Sequence, residues 1–176
     1  CSSDLFAQLF LLDPTGNEDA IMLTDGESRN GAVNWDRKGE RITYLSTRRN
    51  GASNDIWMMR VDNPETAEIV FESPDGTYWY GADFSADGGQ LLVGNYVGNA
   101  DSRIYLLDLE TREMRLLAGN PEDPSSNSPW GFDREGEGFW FVTDVGGDFM
   151  QLAWQSLQPG SKPEIVTSDI AWHVEG

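Results

Sequence analysis

A chain of 176 residues, 39% hydrophobic and 11% aromatic, is long enough for a domain with a sizeable core and is not the composition of a disordered segment. Its 12 basic residues face 30 acidic ones, and the formal charge of −18 repels nucleic acid and anionic lipid. No run approaches the roughly 18 apolar residues of a spanning helix, and one cysteine (Cys1) with one histidine (His173) excludes a disulfide framework, a thiolate metal site and a multi-histidine site within the chain.

The opening Cys1-Ser2-Ser3-Asp4-Leu5 has two readings. One is a lipidated bacterial N-terminal cysteine. The other, favoured because the apolar run 6–12 follows with no polar tether, is the translated end of a short-read sequencing adapter, which sets residues 1–5 aside as non-native. Next, the strand-like triplet Gln8-Leu9-Phe10 leads into segment 13–19, which has the oxygen density of a calcium loop. Its spacing does not fit the Asp-x-Asp-x-Asp-Gly pattern and the distal Glu is missing, so a hairpin turn is expected.

The first complete unit reads as four strands, at 32–35, 41–46, 55–61 and 67–71. Between the first two lies the turn Asp36-Arg37-Lys38-Gly39, where Gly accepts a positive φ and Asp hydrogen-bonds the local backbone. The second loop carries Arg48 and Arg49, a fork able to receive a peptide carboxylate; ion pairing with the abundant acids is the simpler expectation. A polar connection, 62–66, joins the last two strands. The next unit repeats the scheme with Ser85-Ala86-Asp87-Gly88 and the connection 110–113. In the third, Asp144-Val145-Gly146-Gly147-Asp148 has the glycines of a phosphate nest, but its two acids and the lack of a following helix make it an interstrand loop. No segment keeps a helical period.

Three anchors recur at steps of about 48 residues. Trp35, Phe84 and Phe132 precede the tight turns that end in Gly39, Gly88 and Gly136. The triplet returns as Asp55-Ile56-Trp57, Arg103-Ile104-Tyr105 and Gln151-Leu152-Ala153. An apolar pair closes each unit at Met22-Leu23, Ile69-Val70, Leu116-Leu117 and Ile165-Val166. Four strands per repeat of about 48 residues predict an all-β partial β-propeller: about three complete four-stranded blades with part-blades at both ends. The expected layout is a part-blade over 6–27, blades over 28–72, 73–118 and 119–167, and the start of the next over 168–176. Tyr44, Trp35, Trp57, Phe84, Tyr96, Tyr105, Phe132 and Trp140 are expected to fill interblade core rather than a ligand cage. Three and a half blades do not close a ring, so the chain is expected to be a fragment.

The run Val33-Asn34-Trp35-Asp36-Arg37-Lys38-Gly39-Glu40-Arg41-Ile42-Thr43-Tyr44, continuing through Arg48-Arg49-Asn50-Gly51 to Asn54-Asp55-Ile56-Trp57-Met58-Met59, resembles the TolB-like, WD-type propeller repeat. The turns depart from that family's Ser-Pro-Asp-Gly. The resemblance covers nearly everything from Gln8 onward. Leu23-Thr24-Asp25-Gly26, the pair Asp83-Phe84-Ser85 with Leu91-Leu92-Val93, and the closing Asp169-Ile170-Ala171-Trp172-His173-Val174-Glu175 look most like the N-terminal propeller of prolyl oligopeptidase family serine peptidases. In the closing stretch His173 stands where the family has Asp. The resemblance implies a propeller that covers a C-terminal α/β-hydrolase domain of the same parent chain and limits access to small peptide substrates.

The propeller of such an enzyme carries no triad, and no Gly-x-Ser-x-Gly elbow occurs in this sequence. No catalytic, cofactor-binding or metal-ligating residue is nominated, no cofactor is expected, and His173 is read as a loop residue. The alternative is a TolB-type periplasmic propeller that binds other envelope proteins; a propeller attached to an amidohydrolase or other metal-dependent domain is a third option. By family alone the host is bacterial, with the envelope favoured over the cytoplasm.

Overall fold

The computed structural model describes residues 6–17 and 19–174. The readings placed on residues 1–5, and the contributions of Glu18 and Glu175 to their segments, lie outside the described residues. Every regular element among the described residues is a β-strand, and none of them belongs to a helix long and apolar enough to cross a membrane. The chain divides after Gly76 into two compact units.

In the first unit, β1 (Phe10–Leu11) and β2 (Ile21–Met22) form an antiparallel pair. A four-stranded antiparallel sheet follows, made of β3 (Asn30–Trp35), β4 (Arg41–Ser46), β5 (Asp55–Arg60) and β6 (Asn63–Phe71), paired in chain order. The second unit holds two more sheets of the same plan. One contains β7 (Tyr78–Phe84), β8 (Gln90–Gly98), β9 (Asp101–Asp108) and β10 (Met114–Ala118); the other contains β11 (Asn127–Phe132), β12 (Gly138–Thr143), β13 (Gln151–Ser156) and β14 (Glu164–Ile165). Three consecutive four-stranded meanders make the all-β, partial-propeller reading correct. Residues 168–174 form no strand, and Val174 N–H donates to Met150 O at 2.8 Å.

The tight turns explain why each sheet begins as it does. Gly39 and Gly88 donate their N–H to Asp36 O and Ser85 O at 3.1 and 2.8 Å, and Gly136 to Asp133 O at 3.4 Å; φ is +68°, +74° and +75°. Those angles lie in the left-handed region that a Cβ disfavours. The side chain at the head of each turn closes it: Asp36 Oδ1 accepts from Glu40 N–H at 2.9 Å, Ser85 Oγ from Gln90 N–H at 2.9 Å, and Asp133 Oδ1 from Glu137 N–H at 2.9 Å. The same local chemistry at three points sets the same hairpin register.

The inner strands β4, β8 and β12 are buried along most of their length, and alternate side chains on them fill the clusters described next. In the first unit Ile42 and Tyr44 of β4, with Trp57 and Met59 of β5, meet Leu23, and Leu9 and Leu11 pack against them. In the second, Leu92, Ile104 and Leu106 pack against Phe132, Phe139, Phe141 and Ala153 of the following sheet, and the rings of Phe139 and Phe141 stack 5.1 Å apart. Each fully buried Leu, Ile, Met or Phe among them contributes about 1.5–3 kcal/mol through apolar burial.

Two expectations are corrected. Of the eight aromatics assigned to the core, Tyr44, Trp57, Phe84 and Phe132 are buried, and Tyr105 and Trp140 are half-buried. Trp35 and Tyr96 are 47% and 45% exposed. Trp35 ends β3 outside the cluster that Ile42, Tyr44, Trp57 and Met59 form, and Tyr96 sits at the loop end of β8, beyond the packed centre of its sheet. The connection 62–66 is also not a loop. Arg60 pairs with Asn63 across a two-residue turn and β6 starts at Asn63. Thr66 Oγ1 steadies this turn by accepting from Arg60 N–H at 2.9 Å and donating to Asn63 O at 2.7 Å. Pro64 is tolerated because β6 is an edge strand.

Candidate functional surface

The segments weighed as sites are structural. Asp13 caps its own hairpin: its carboxylate accepts from Thr15 N–H at 2.9 Å, Thr15 Oγ1–H at 2.5 Å and Asn17 N–H at 3.0 Å. In the 144–148 loop Gly147 N–H donates to Asp144 O at 3.1 Å, and Asp144 Oδ1 accepts from Ser126 N–H at 2.8 Å, so it is the expected interstrand turn. His173 Nδ1 accepts from Met150 N–H at 3.0 Å and the ring meets Phe149 edge-on at 5.5 Å. It fastens the closing segment to the start of β13. Among the described residues no three His, Cys, Asp or Glu side chains converge on a metal position.

Arg48 and Arg49 are engaged within the first unit. Arg49 donates from Nε and Nη2 to the two oxygens of Asp55 at 2.7 and 2.9 Å, and Nη1 lies 3.6 Å from Glu72. Asp55 is fully buried and also accepts from Ser73 N–H at 2.9 Å. Arg48 lies 3.6 Å from Asp25, with its guanidinium 5.2 Å above the Trp57 ring. Burial raises the Asp25 carboxyl; hydrogen bonds from Ser28 and Glu27 and the nearby Arg48 charge outweigh that and hold it below the usual carboxylate range. The fork serves the fold, as the ion-pair reading expected.

What the first strands present is a better binding feature. Each carries a bulge at the same place in its repeat: the register shifts between Gly31 and Asn34 in β3, between Gly81 and Asp83 in β7, and between Pro129 and Gly131 in β11. A bulge leaves residues unpaired and re-aims them. Those residues include Val33 and Trp130, both well exposed, and Ala82. The third bulge is closed by Asp83, whose Oδ2 accepts from Phe132 N–H at 2.9 Å, and a Cβ on Gly131 would stand 2.8 Å from that oxygen.

At the loop end of β7 and β8, Tyr78 pairs directly with Tyr96, and the rings of Tyr78 and Tyr80 lie 5.7 Å apart. Tyr78 and Tyr96 are exposed. Tyr80 lies across Gly94, where no side chain would fit. Burial pushes the Tyr80 phenol above its ordinary value despite a hydrogen bond with Ser128. The Tyr96 hydroxyl donates to Asn99 Oδ1, and Ser126 Oγ donates to Asn99 O at 2.7 Å, so the loop is held in place. Exposed aromatic faces beside hydroxyls offer stacking surface and hydrogen-bonding groups to a ligand.

Sequence reasoning missed the asparagines that hold these strands. Asn127, 3% exposed, donates from Nδ2 to Ser102 O at 2.8 Å and to Ser125 O at 3.0 Å, and its Oδ1 accepts from Thr143 Oγ1–H at 2.8 Å. Asn30 does the equivalent work in the first unit, donating to Ser28 O at 2.8 Å. An Asn at the head of a first strand in two repeats was the available signal.

No family model and no curated protein matches the chain. Solved structures do. TolB from Acinetobacter baumannii superposes with a TM-score of 0.72 at 18% identity, covering 94% of this chain and 39% of that one. An oligogalacturonate lyase from Vibrio parahaemolyticus gives 0.61 at 15%, covering 87% and 42%, and apo prolyl oligopeptidase B from Galerina marginata gives 0.60 at 12%, covering 88% and 23%. The fold is that of a TolB-like β-propeller, and the chain spans less than half the length of each of these proteins.

Proposed function

We propose that this chain is the non-catalytic propeller portion of a prolyl oligopeptidase-like serine peptidase, in which it gates peptide access to an α/β-hydrolase domain of the same parent chain. The observation that carries the reading is the pairing of a TolB-like propeller with a sequence that has no nucleophile elbow and spends its one histidine on the Met150 amide. Within the second unit, Trp130 at the β11 bulge and the Tyr78, Tyr80 and Tyr96 ledge supply aromatic surface for an extended peptide. The blade boundaries expected above belong to the same proposal, as do a bacterial host and a place in the cell envelope.

A second reading is a TolB-type module that binds envelope proteins without an enzyme domain. It is favoured by the higher TM-score and fuller coverage with the A. baumannii protein. Reading the coding sequence on both sides of this chain, and treating the parent protein with a fluorophosphonate probe, separates the two. An in-frame Gly-x-Ser-x-Gly elbow followed by Asp and His, with the probe on that serine, supports the peptidase. A frame that closes the ring and stops, with no labelling, refutes it in favour of the binding module.

A further inference from the structure

The groove beside β10 reverses the charge balance of the chain around it. β10 is the last strand of its sheet: it pairs with β9 on one side, and among the described residues no strand pairs with its other edge, where Leu117 O accepts from the Gln155 side chain. Along that edge runs a groove of about 390 Å³ with an apolar wall that includes Leu116, Leu117 and Phe141. In a protein with 30 acidic and 12 basic residues, the charged groups lining it are Arg115, Lys162 and a single carboxylate, Asp123. Both cations are exposed.

The far wall is held in position. Gln155 Nε2–H donates to Leu117 O at 2.7 Å and to Ser161 O at 3.3 Å, and Arg115 Nη2–H donates to Leu157 O at 2.8 Å. These bonds tether the 157–163 segment across from β10; Arg115 keeps further guanidinium donors, and Lys162 is exposed with no hydrogen bond or ion pair among the described residues. Leu116, 42% exposed, adds apolar surface at the same edge.

We propose that this groove docks an acidic peptide segment, extended along the open edge of β10 with its carboxylates on Arg115 and Lys162. The three features select that class together. A strand edge recognises main chain, an apolar wall accepts alternate side chains of an extended segment, and two cations choose carboxylates. A small anion would use the cations and ignore the edge. The site is independent of the gating role and holds under either functional reading.

Fluorescence anisotropy on the 176-residue chain tests it, with a fluorescein-labelled hexapeptide of alternating Glu and Val against the same peptide with Gln for Glu. Salt of about 0.15 M screens the overall negative charge beyond about 8 Å. The Glu peptide binds more tightly than its Gln counterpart although the protein is strongly acidic. Lys162→Glu weakens the Glu peptide by about tenfold while the Gln peptide stays within about twofold. Because Lys162 is exposed, an unchanged urea midpoint for Lys162→Glu shows that folding is intact. Equal binding of the two peptides, no response to Lys162→Glu, or full displacement by millimolar inorganic phosphate overturns the proposal, the last by reducing the groove to a small-anion site.

Discussion

Replacing Asp55 by Ala tests whether the Arg48–Arg49 loop belongs to the fold or to a ligand. The Asp55 side chain is fully buried, and the Arg49 side chain is 30% exposed. Truncation removes two charge-assisted hydrogen bonds from Arg49 and leaves the buried Ser73 N–H without its acceptor. Orphaning a buried N–H costs about 1–3 kcal/mol, and the lost charge-assisted bonds add about 1.5–3 kcal/mol. Relief from burying a carboxylate, and the freedom of Arg49 to turn into water, return part of that. The expected net loss is about 3 kcal/mol. Arg49→Ala costs a similar amount, because it strands the buried carboxylate with one backbone donor. The double variant is less destabilised than the sum of the two, since the groups act as one unit. Urea unfolding followed by tryptophan fluorescence reads this directly; at an m-value of about 2 kcal/mol per molar, each single variant moves the midpoint down by about 1.5 M. A shift below about 0.3 M for Asp55→Ala, or strict additivity in the double variant, refutes the reasoning and frees Arg49 for a ligand.

A methyl group at Gly138 meets the Trp154 indole and stands 2.6 Å from Gln155 O, so Gly138→Ala forces the indole off Asp133 and breaks the 2.9 Å bond from Trp154 Nε1–H. Overpacking and the lost hydrogen bond together cost about 3 kcal/mol, and a thermal melt unchanged within 2 °C would be inconsistent with this geometry. In Asp36 burial raises the carboxyl, and bonds from Glu40 and Arg41 outweigh it; in Asp133 burial is likewise outweighed, by Trp154 and the N–H groups of its turn. Both carboxyls are held below the ordinary 3.8, so their contribution to stability is complete above that value and disappears as pH falls through the folded-state range below it. Acid titration of Asp36→Asn should show a shallower loss below about pH 4 than the parent; an identical slope contradicts the assignment. His173→Ala leaves global stability within about 0.5 kcal/mol and speeds hydrogen exchange at the Met150 amide. An esterase activity in the parent chain that this variant abolishes would overturn the non-catalytic reading.

Much of the fold is legible in the amino-acid sequence, because it rests on short-range chemistry. Asp36 to Gly39, Ser85 to Gly88 and Asp133 to Gly136 each hold the donors, acceptors and glycine of a hairpin within a few residues, and each closes as expected. The candidate surface was far less legible. Arg49 at a loop tip reads equally well as a receptor or an ion-pair partner, and only the approach of Asp55 and Ser73 separates the two. Trp35 and Phe84 occupy the same place in their repeats, yet one is 47% exposed and the other fully buried, because burial depends on what each strand packs against.

The sequence by itself determined an all-β chain of about 48-residue, four-stranded repeats, with no elbow, no disulfide and no histidine cluster. Period-two alternation and turn residues act over one to five positions, and identical local forces repeated along a chain yield identical sheets. The tertiary structure alone decided the bulges at Val33, Ala82 and Trp130, the Asn127 strap that joins Ser102, Ser125 and Thr143, and the cationic groove beside β10. Each of those is made by residues from different strands, brought within hydrogen-bond or contact distance only when the chain folds; the Asn at the head of two first strands hints at the strap, and the bulges and the groove have no local signal.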